Sequence, residues 1–203
     1  MSKSAFDLNH QQTNIESKII ASLERVSQAF RVLLWNESKE LVLSPLQVQV
    51  LIFLLHHPDD RCKVSYLADE FNMSKATISD AIKALEQKLL IEKYYDPQDT
   101  RSYKIYLTNK GKGLAKRTSL FAQQIQLPIE AMNQKDKENL LDSMINIIHH
   151  LNNVGIISIQ RMCLTCQFYK TSEIGQSHFC NLMNKPLTTA ELQVDCKEHN
   201  EIQ

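Results

Sequence analysis

Residues 63–117 read KVSYLADEFNMSKATISDAIKALEQKLLIEKYYDPQDTRSYKIYLTNKGKGLAKR. Val64, Leu67, Ala68 and Phe71 give a short helix one apolar face, and Asn72-Met73 follows as a tight turn. Asn72 stands where a left-handed residue is needed, a conformation that Gly and Asn adopt at little cost. Ser74 then caps a second helix, expected over about 75–88, with Ile78, Ile82, Leu85 and Leu89 inward. Its outer face carries Lys75, Ala76, Ser79, Asp80, Lys83 and Gln87, small or polar residues suited to close approach. Residues 91–95 and 103–107 are rich in β-branched and aromatic types and predict a hairpin with its tip at Asp96-Pro97-Gln98-Asp99-Thr100-Arg101. Two short helices followed by a hairpin make a winged helix-turn-helix. A short helix fits the major groove of B-DNA and a basic hairpin can reach the adjacent minor groove, so double-stranded DNA is the expected partner.

Upstream, Ile15, Ile19, Leu23, Val26, Phe30 and Leu33 step by threes and fours along a long helix from about Asn14 to Asn36. Ser44-Pro45 reads as an N-cap with proline at the first helical position. The following helix, to about His56, is apolar on most sides and should be buried. Downstream, Thr108 caps a helix expected to reach about Gln126, with a break or kink at Pro128. A last helix over about 135–153 places Leu140, Met144, Ile147, Leu151 and Val154 on a heptad seam. The expected fold is mainly α with a small β-hairpin wing (α+β). The expected organisation is a flexible N-terminus (1–13), a dimerisation helix (14–43), the winged helix-turn-helix core (44–117), C-terminal dimerisation helices (118–158) and a cysteine-rich metal-binding tail (159–203). Two long striped helices exceed what a small winged helix can bury alone, so a homodimer is expected. Its two reading helices would face successive major-groove turns.

The chain has 203 residues and a formal net charge of zero, but residues 72–117 hold ten basic residues against five acidic ones. That segment is therefore at +5 and suits a polyanion. No stretch approaches the length of a membrane span, and the first residues lack the apolar run of a secretory signal, so a cytoplasmic protein with no membrane partner is expected. There is no nucleophile–base set, paired-carboxylate signature or glycine-rich phosphate loop, which argues against an enzyme.

The ordered set Leu43-Ser44-Pro45-Leu46-Gln47, Ser74-Lys75-Ala76-Thr77-Ile78-Ser79, residues 85–93, residues 96–101 and Leu107-Thr108-Asn109-Lys110-Gly111 resembles MarR-type winged-helix transcriptional regulators. The likeness covers about residues 14–154. It implies a dimer clasped by its first and last helices, usually a repressor on a pseudo-palindromic operator, often switched by a small-molecule effector. It also implies that Arg101 is the wing's minor-groove contact, with Asp99 as its orienting partner. Lys75 and Lys83 are expected on phosphate. Ser74 and Thr77 are open between base contact and helix capping. Two departures stand out: Thr100 replaces a second basic residue, and Asp80 stands where many relatives carry Arg. An acid at that place repels phosphate unless it accepts from a cytosine amino group.

Beyond residue 160 the character changes. Cys163-Leu164-Thr165-Cys166 is a CxxC pair, followed by Cys180 and Cys196, with His178 and His199 nearby. A CxxC turn lets two thiolates meet one ion, and a second arm supplies the remaining ligands of a tetrahedron. The expected site is zinc on Cys163, Cys166, Cys180 and Cys196, with His178 or His199 as substitutes and an iron–sulfur cluster as the alternative. Large apolar residues are few here, so the metal is expected to fold the tail. Cys62 is read as structural or incidental, and the pair His56-His57 as loop polarity rather than a metal site. Three functions follow: a dimeric DNA-binding regulator with a structural zinc site; a redox or metal sensor whose tail holds a cluster or exchanges zinc; and an adaptor using the winged helix on protein.

Overall fold

The computed structural model describes residues 3–96, 99–171 and 178–202, with the side chains of residues 96–102 outside that description. The chain begins with α1 (Leu8–Thr13), capped by the Asp7 carboxylate, which accepts from the Asn9 and His10 amides. The segment expected to be flexible, 1–13, thus contains a short helix, in which one acid at the N-cap satisfies amides that would otherwise be unpaired. Helix α2 (Ile15–Glu40) starts at the Asn14 cap and runs a turn past the expected end. It stops in a left-handed Val42 at φ 54°, with the Leu43 amide donating back to Ser38 O at 3.0 Å. The buried helix α3 (Pro45–His56) opens with a full capping box, in which Ser44 and Gln47 satisfy each other's backbone amides.

Helices α4 (Val64–Glu70) and α5 (Lys75–Gln87) form the helix-turn-helix. Asn72 adopts φ 49° at the turn, and the Met73 amide donates to Ala68 O at 2.8 Å. Strands β1 (Ile91–Asp96) and β2 (Asp99–Leu107) pair antiparallel, with Ile91 opposite Leu107 and Tyr95 opposite Tyr103. The loop before α4 joins this ribbon through the Ile105 amide, which donates to Cys62 O at 2.9 Å. One core gathers the winged helix: Val48 and Leu51 from α3, Leu67 from α4, Ile78, Ile82 and Leu85 from α5, and Ile91 and Ile105 from the hairpin.

Helix α6 (Asn109–Thr118), capped by Thr108, is shorter than its apolar pattern suggested. Tight turns at Leu120 and Phe121 separate it from α7 (Gln123–Glu130), and Pro128 lies inside α7 rather than ending a helix. The break therefore falls about eight residues earlier than expected. Helix α8 (Gln134–Asn153) follows, with Asn133 as its cap.

The tail holds a short turn at Cys163–Thr165 and a three-stranded antiparallel sheet of β3 (Tyr169–Thr171), β4 (His178–Cys180) and β5 (Lys185–Leu187). It has a small apolar cluster of its own, in which Met162, Leu187 and Leu192 close over Ile145 of α8. Burial therefore contributes more to the tail than its own composition suggests, because α8 supplies part of the apolar surface.

Candidate nucleic-acid interface and cysteine cluster

The amphipathic spacing of α5 decides what it offers to solvent. Ile78, Ala81, Ile82 and Leu85 are buried, whereas Leu89, expected on the same inner face, lies beyond the helix end in a left-handed turn and is exposed. Ser74, Lys75, Ala76, Thr77, Ser79, Asp80 and Lys83 are all exposed and lie on one outward surface. Ser74 Oγ accepts from the Thr77 amide at 3.1 Å and lies 2.8 Å from Thr77 Oγ1, so both hydroxyls take part in the cap. Among the described residues, Lys75, Asp80 and Lys83 form no ion pair.

Other basic residues of the segment have structural duties that composition does not show. Lys93 Nζ lies 2.6 Å from Glu86 and 5.2 Å from the Tyr103 ring centre, and ties the wing to α5. Burial works against its charge, but Glu86 together with Tyr103 and Tyr95 outweighs this and holds the ammonium above its ordinary pKa. Lys88 donates to Val42 O, and Lys110 donates to Lys88 O at 3.1 Å. Asp99 and Arg101 stand on β2 by their backbone, and their side chains lie outside the described residues.

The four cysteines expected to bind metal come together. Cys163, Cys166, Cys180 and Cys196 line one cavity of about 60 Å³, walled by Tyr169, Leu182, Met183 and Leu187. Among the described residues no group of three or more Cys, His, Asp or Glu side chains is placed to hold a metal ion. The Gln193 amide donates to Cys163 Sγ at 3.2 Å, and the Cys163 amide returns the bond to Gln193 O at 3.1 Å. Burial pushes the Cys163 thiol up, and the Cys196, Cys166 and Cys180 sulfurs push it the same way against the Gln193 amide. Several thiolates together in a low-polarity pocket repel one another unless a cation neutralises them.

The two histidines held in reserve are engaged elsewhere. His178 Nδ1 is 2.6 Å from Tyr169 Oη, and His199 Nε2 is 3.0 Å from Thr165 Oγ1. Neither lines the cysteine cavity. Cys62 is buried, and its Sγ lies 3.5 Å from Pro58 O. Burial, with Asp59 and Asp60 nearby, raises it to about 11.

Sequence reading missed Arg161. Its buried guanidinium meets Asp195 through Nε at 2.6 Å and Nη2 at 2.8 Å, and Glu70 through Nη1 at 2.6 Å and Nη2 at 3.1 Å. Tyr66 Oη accepts from it at 3.0 Å, and His57 Nε2 lies 3.0 Å from Asp195. Burial opposes the Asp195 charge, but its bonds to Arg161 and His57 outweigh this and hold the carboxyl below the usual carboxylate range. His57, read as loop polarity, therefore belongs to this network. A lone Arg in a polar stretch carries no signal of burial, because its partners are 91 residues upstream and 34 residues downstream.

Comparison with known proteins places this architecture. Residues 43–102 match the family model described as MarR family. The fold is the MarR-type winged helix, mostly helical with a small antiparallel wing. The chain is similar to MepR of Staphylococcus aureus, solved as a DNA complex, at 23% identity and TM-score 0.56, covering 64% of this chain and 96% of that one. It is similar to FabT of Streptococcus pneumoniae in complex with DNA, at 19% identity and TM-score 0.58, covering 68% and 99%. A MarR transcriptional regulator from Methanosarcina mazei matches at 20% identity and TM-score 0.55, covering 69% and 98%. No curated protein matches the chain. Among the described residues no single helix is long and apolar enough to cross a membrane.

Proposed function

We propose that the protein is a sequence-specific double-stranded DNA-binding transcriptional regulator, a repressor acting as a homodimer on a pseudo-palindromic operator. The observation that carries this reading is the outward face of α5, where exposed Lys75 and Lys83 flank small and polar residues and make no ion pair among the described residues. Lysines there supply phosphate affinity, and the short side chains between them let base edges approach. The DNA-bound MepR and FabT structures share the fold and support the same reading. The homodimer is supported by the apolar residues that α2 leaves in solvent, among them Ile15, Ile19, Val26 and Trp35. A small-molecule effector has a cleft available, about 490 Å³ between α3, the hairpin and α6. That volume is inside the roughly 300–1,000 Å³ usual for ligand pockets.

In the tail, the four cysteines hold one zinc ion, which supplies positive charge and a tetrahedral cross-link among segments that are far apart in sequence. The gathering of four thiols around one small cavity supports this.

The test is selection of duplexes from a random pool by the purified chain, followed by titration across salt. Lys83→Ala and Arg101→Ala should each weaken binding and reduce the salt slope by about one unit. Unchanged binding in both, or failure to retain any duplex at low salt, removes the DNA reading.

A further inference from the structure

The cysteine cluster and the helix-turn-helix are joined by one buried side chain. Arg161 stands two residues before Cys163, and Asp195 immediately precedes Cys196. The two segments are laced together at the cluster: the Cys163 amide donates to Gln193 O at 3.1 Å, and the Cys196 amide donates to Arg161 O at 2.9 Å. From this lacing the Arg161 guanidinium reaches out as a two-sided clamp. One edge takes both oxygens of Asp195 and the other takes both oxygens of Glu70, with Tyr66 Oη as a further acceptor. Glu70 and Tyr66 belong to α4, and the Asn72-Met73 turn leads directly from α4 into the reading helix α5.

Two weaker ties run beside the clamp. Ser158 Oγ donates to Asp69 O at 2.9 Å, and Arg61 Nη2 donates to Lys197 O at 3.3 Å. The tail's apolar cluster is small, with four fully buried members including Ile145 of α8. An ion bound by all four thiolates would hold the 161–166 and 193–196 segments together, and so keep Asp195 opposite Arg161. Without the ion, the two backbone bonds and the small apolar cluster are left to hold the segments together, and they separate more readily. Arg161 then loses one of its two carboxylates, and a buried cation left half-paired does not keep its place.

We propose that metal occupancy of the four-cysteine site sets the DNA affinity of the protein, transmitted through the Arg161 clamp on α4. The inference rests on the DNA-binding and zinc readings above. It makes the tail a regulatory element, with a thiophilic metal as the signal and the position of α4 as the output. The metal-bound form is the tight-binding one.

The experiment uses the full-length chain loaded with zinc, and the same chain stripped by chelator under reducing conditions. Three quantities are read: metal per chain, affinity for a duplex selected from a random pool, and amide-exchange protection of α4. Stripping should weaken DNA binding about tenfold, within the usual range of coupling between two sites, and should lower protection over Val64–Glu70. Arg161→Met and the milder Asp195→Asn should keep one zinc per chain, bind DNA as weakly as the stripped protein and no longer respond to chelator. Asp195→Asn keeps the shape of the clamp should Arg161→Met fail to fold. Equal affinity and equal α4 protection with and without metal overturn the coupling and leave the zinc site standing. A chain that takes up neither zinc nor a coloured iron–sulfur centre overturns the proposal at the metal reading. If no form binds DNA, the DNA reading fails, and α4 protection alone then decides whether metal reaches the helix-turn-helix.

Discussion

A β-carbon on Gly111 would lie 1.9 Å from the Leu90 carbonyl oxygen, far inside the distance at which two non-bonded heavy atoms can meet. The residue sits in the first turn of α6, where the Thr108 cap and the Leu90 carbonyl bring helix and hairpin backbones together. Gly111→Ala must push α6 off the hairpin, and thermal unfolding should show a loss of roughly 1–3 kcal/mol, as for other overpacked sites. Stability equal to wild type would mean that the close approach is not maintained in solution. Cys62 yields a chemical prediction of the same local kind. With its thiol raised from 9.0 to about 11, it is protonated at neutral and mildly alkaline pH. The reactive form is the thiolate, so alkylation of native protein at pH 8 should be about a hundredfold slower than for an unshifted thiol. The rate should rise steadily as pH climbs towards the shifted value. Peptide mapping after timed alkylation reads this directly, and rapid labelling of Cys62 would contradict the burial.

Helix ends repeat a single device in this chain, which has four glycines. Residues in the left-handed region end α2 at Val42, α4 at Asn72 and α5 at Leu89. In each, the next amide bonds back across the turn, from Leu43 to Ser38, Met73 to Ala68 and Leu90 to Leu85. Asn tolerates this conformation, but a β-branched residue does so at a cost of about 1–2 kcal/mol. Val42 is 80% exposed, so removing its side chain sacrifices little packing. Val42→Gly should therefore raise the unfolding free energy by about 1 kcal/mol, measured by denaturant titration. A decrease would show that the side chain has contacts in the assembled protein. The helix-turn-helix itself was plain in the sequence: the spacing of Leu67, Ala68 and Phe71, the Asn72 turn and the Ser74 cap are local signals. The end of α6 was not, because Leu114, Phe121 and Ile125 continue a helical stripe through a break that the surrounding packing imposes.

At the scale of the molecule, α2 keeps an apolar face exposed. Ile19 is 47% and Val26 45% exposed, and both lie on the stripe read from the sequence. In the proposed homodimer this face is covered. Ile19→Glu with Val26→Glu should yield a monomer by analytical ultracentrifugation with the winged helix still folded. Losing the linked second half-site should weaken DNA binding on the order of a hundredfold. A double variant that sediments with wild type would place the dimer contact elsewhere.

The sequence by itself determined the winged helix and which face of α5 is wet, because helical stripes, caps and strand alternation are set within a few residues of one another. It also carried the CxxC pair and the two later cysteines that form the candidate metal site. Only the tertiary structure decided that these four thiols share one cavity, that His178 and His199 bond to Tyr169 and Thr165 instead, and that the tail rests on α4 and α8. Above all it decided the role of Arg161, whose charge is paired with Glu70 far upstream and Asp195 well downstream. Buried ion pairs depend on which distant segments the fold places side by side, and no local periodicity records that.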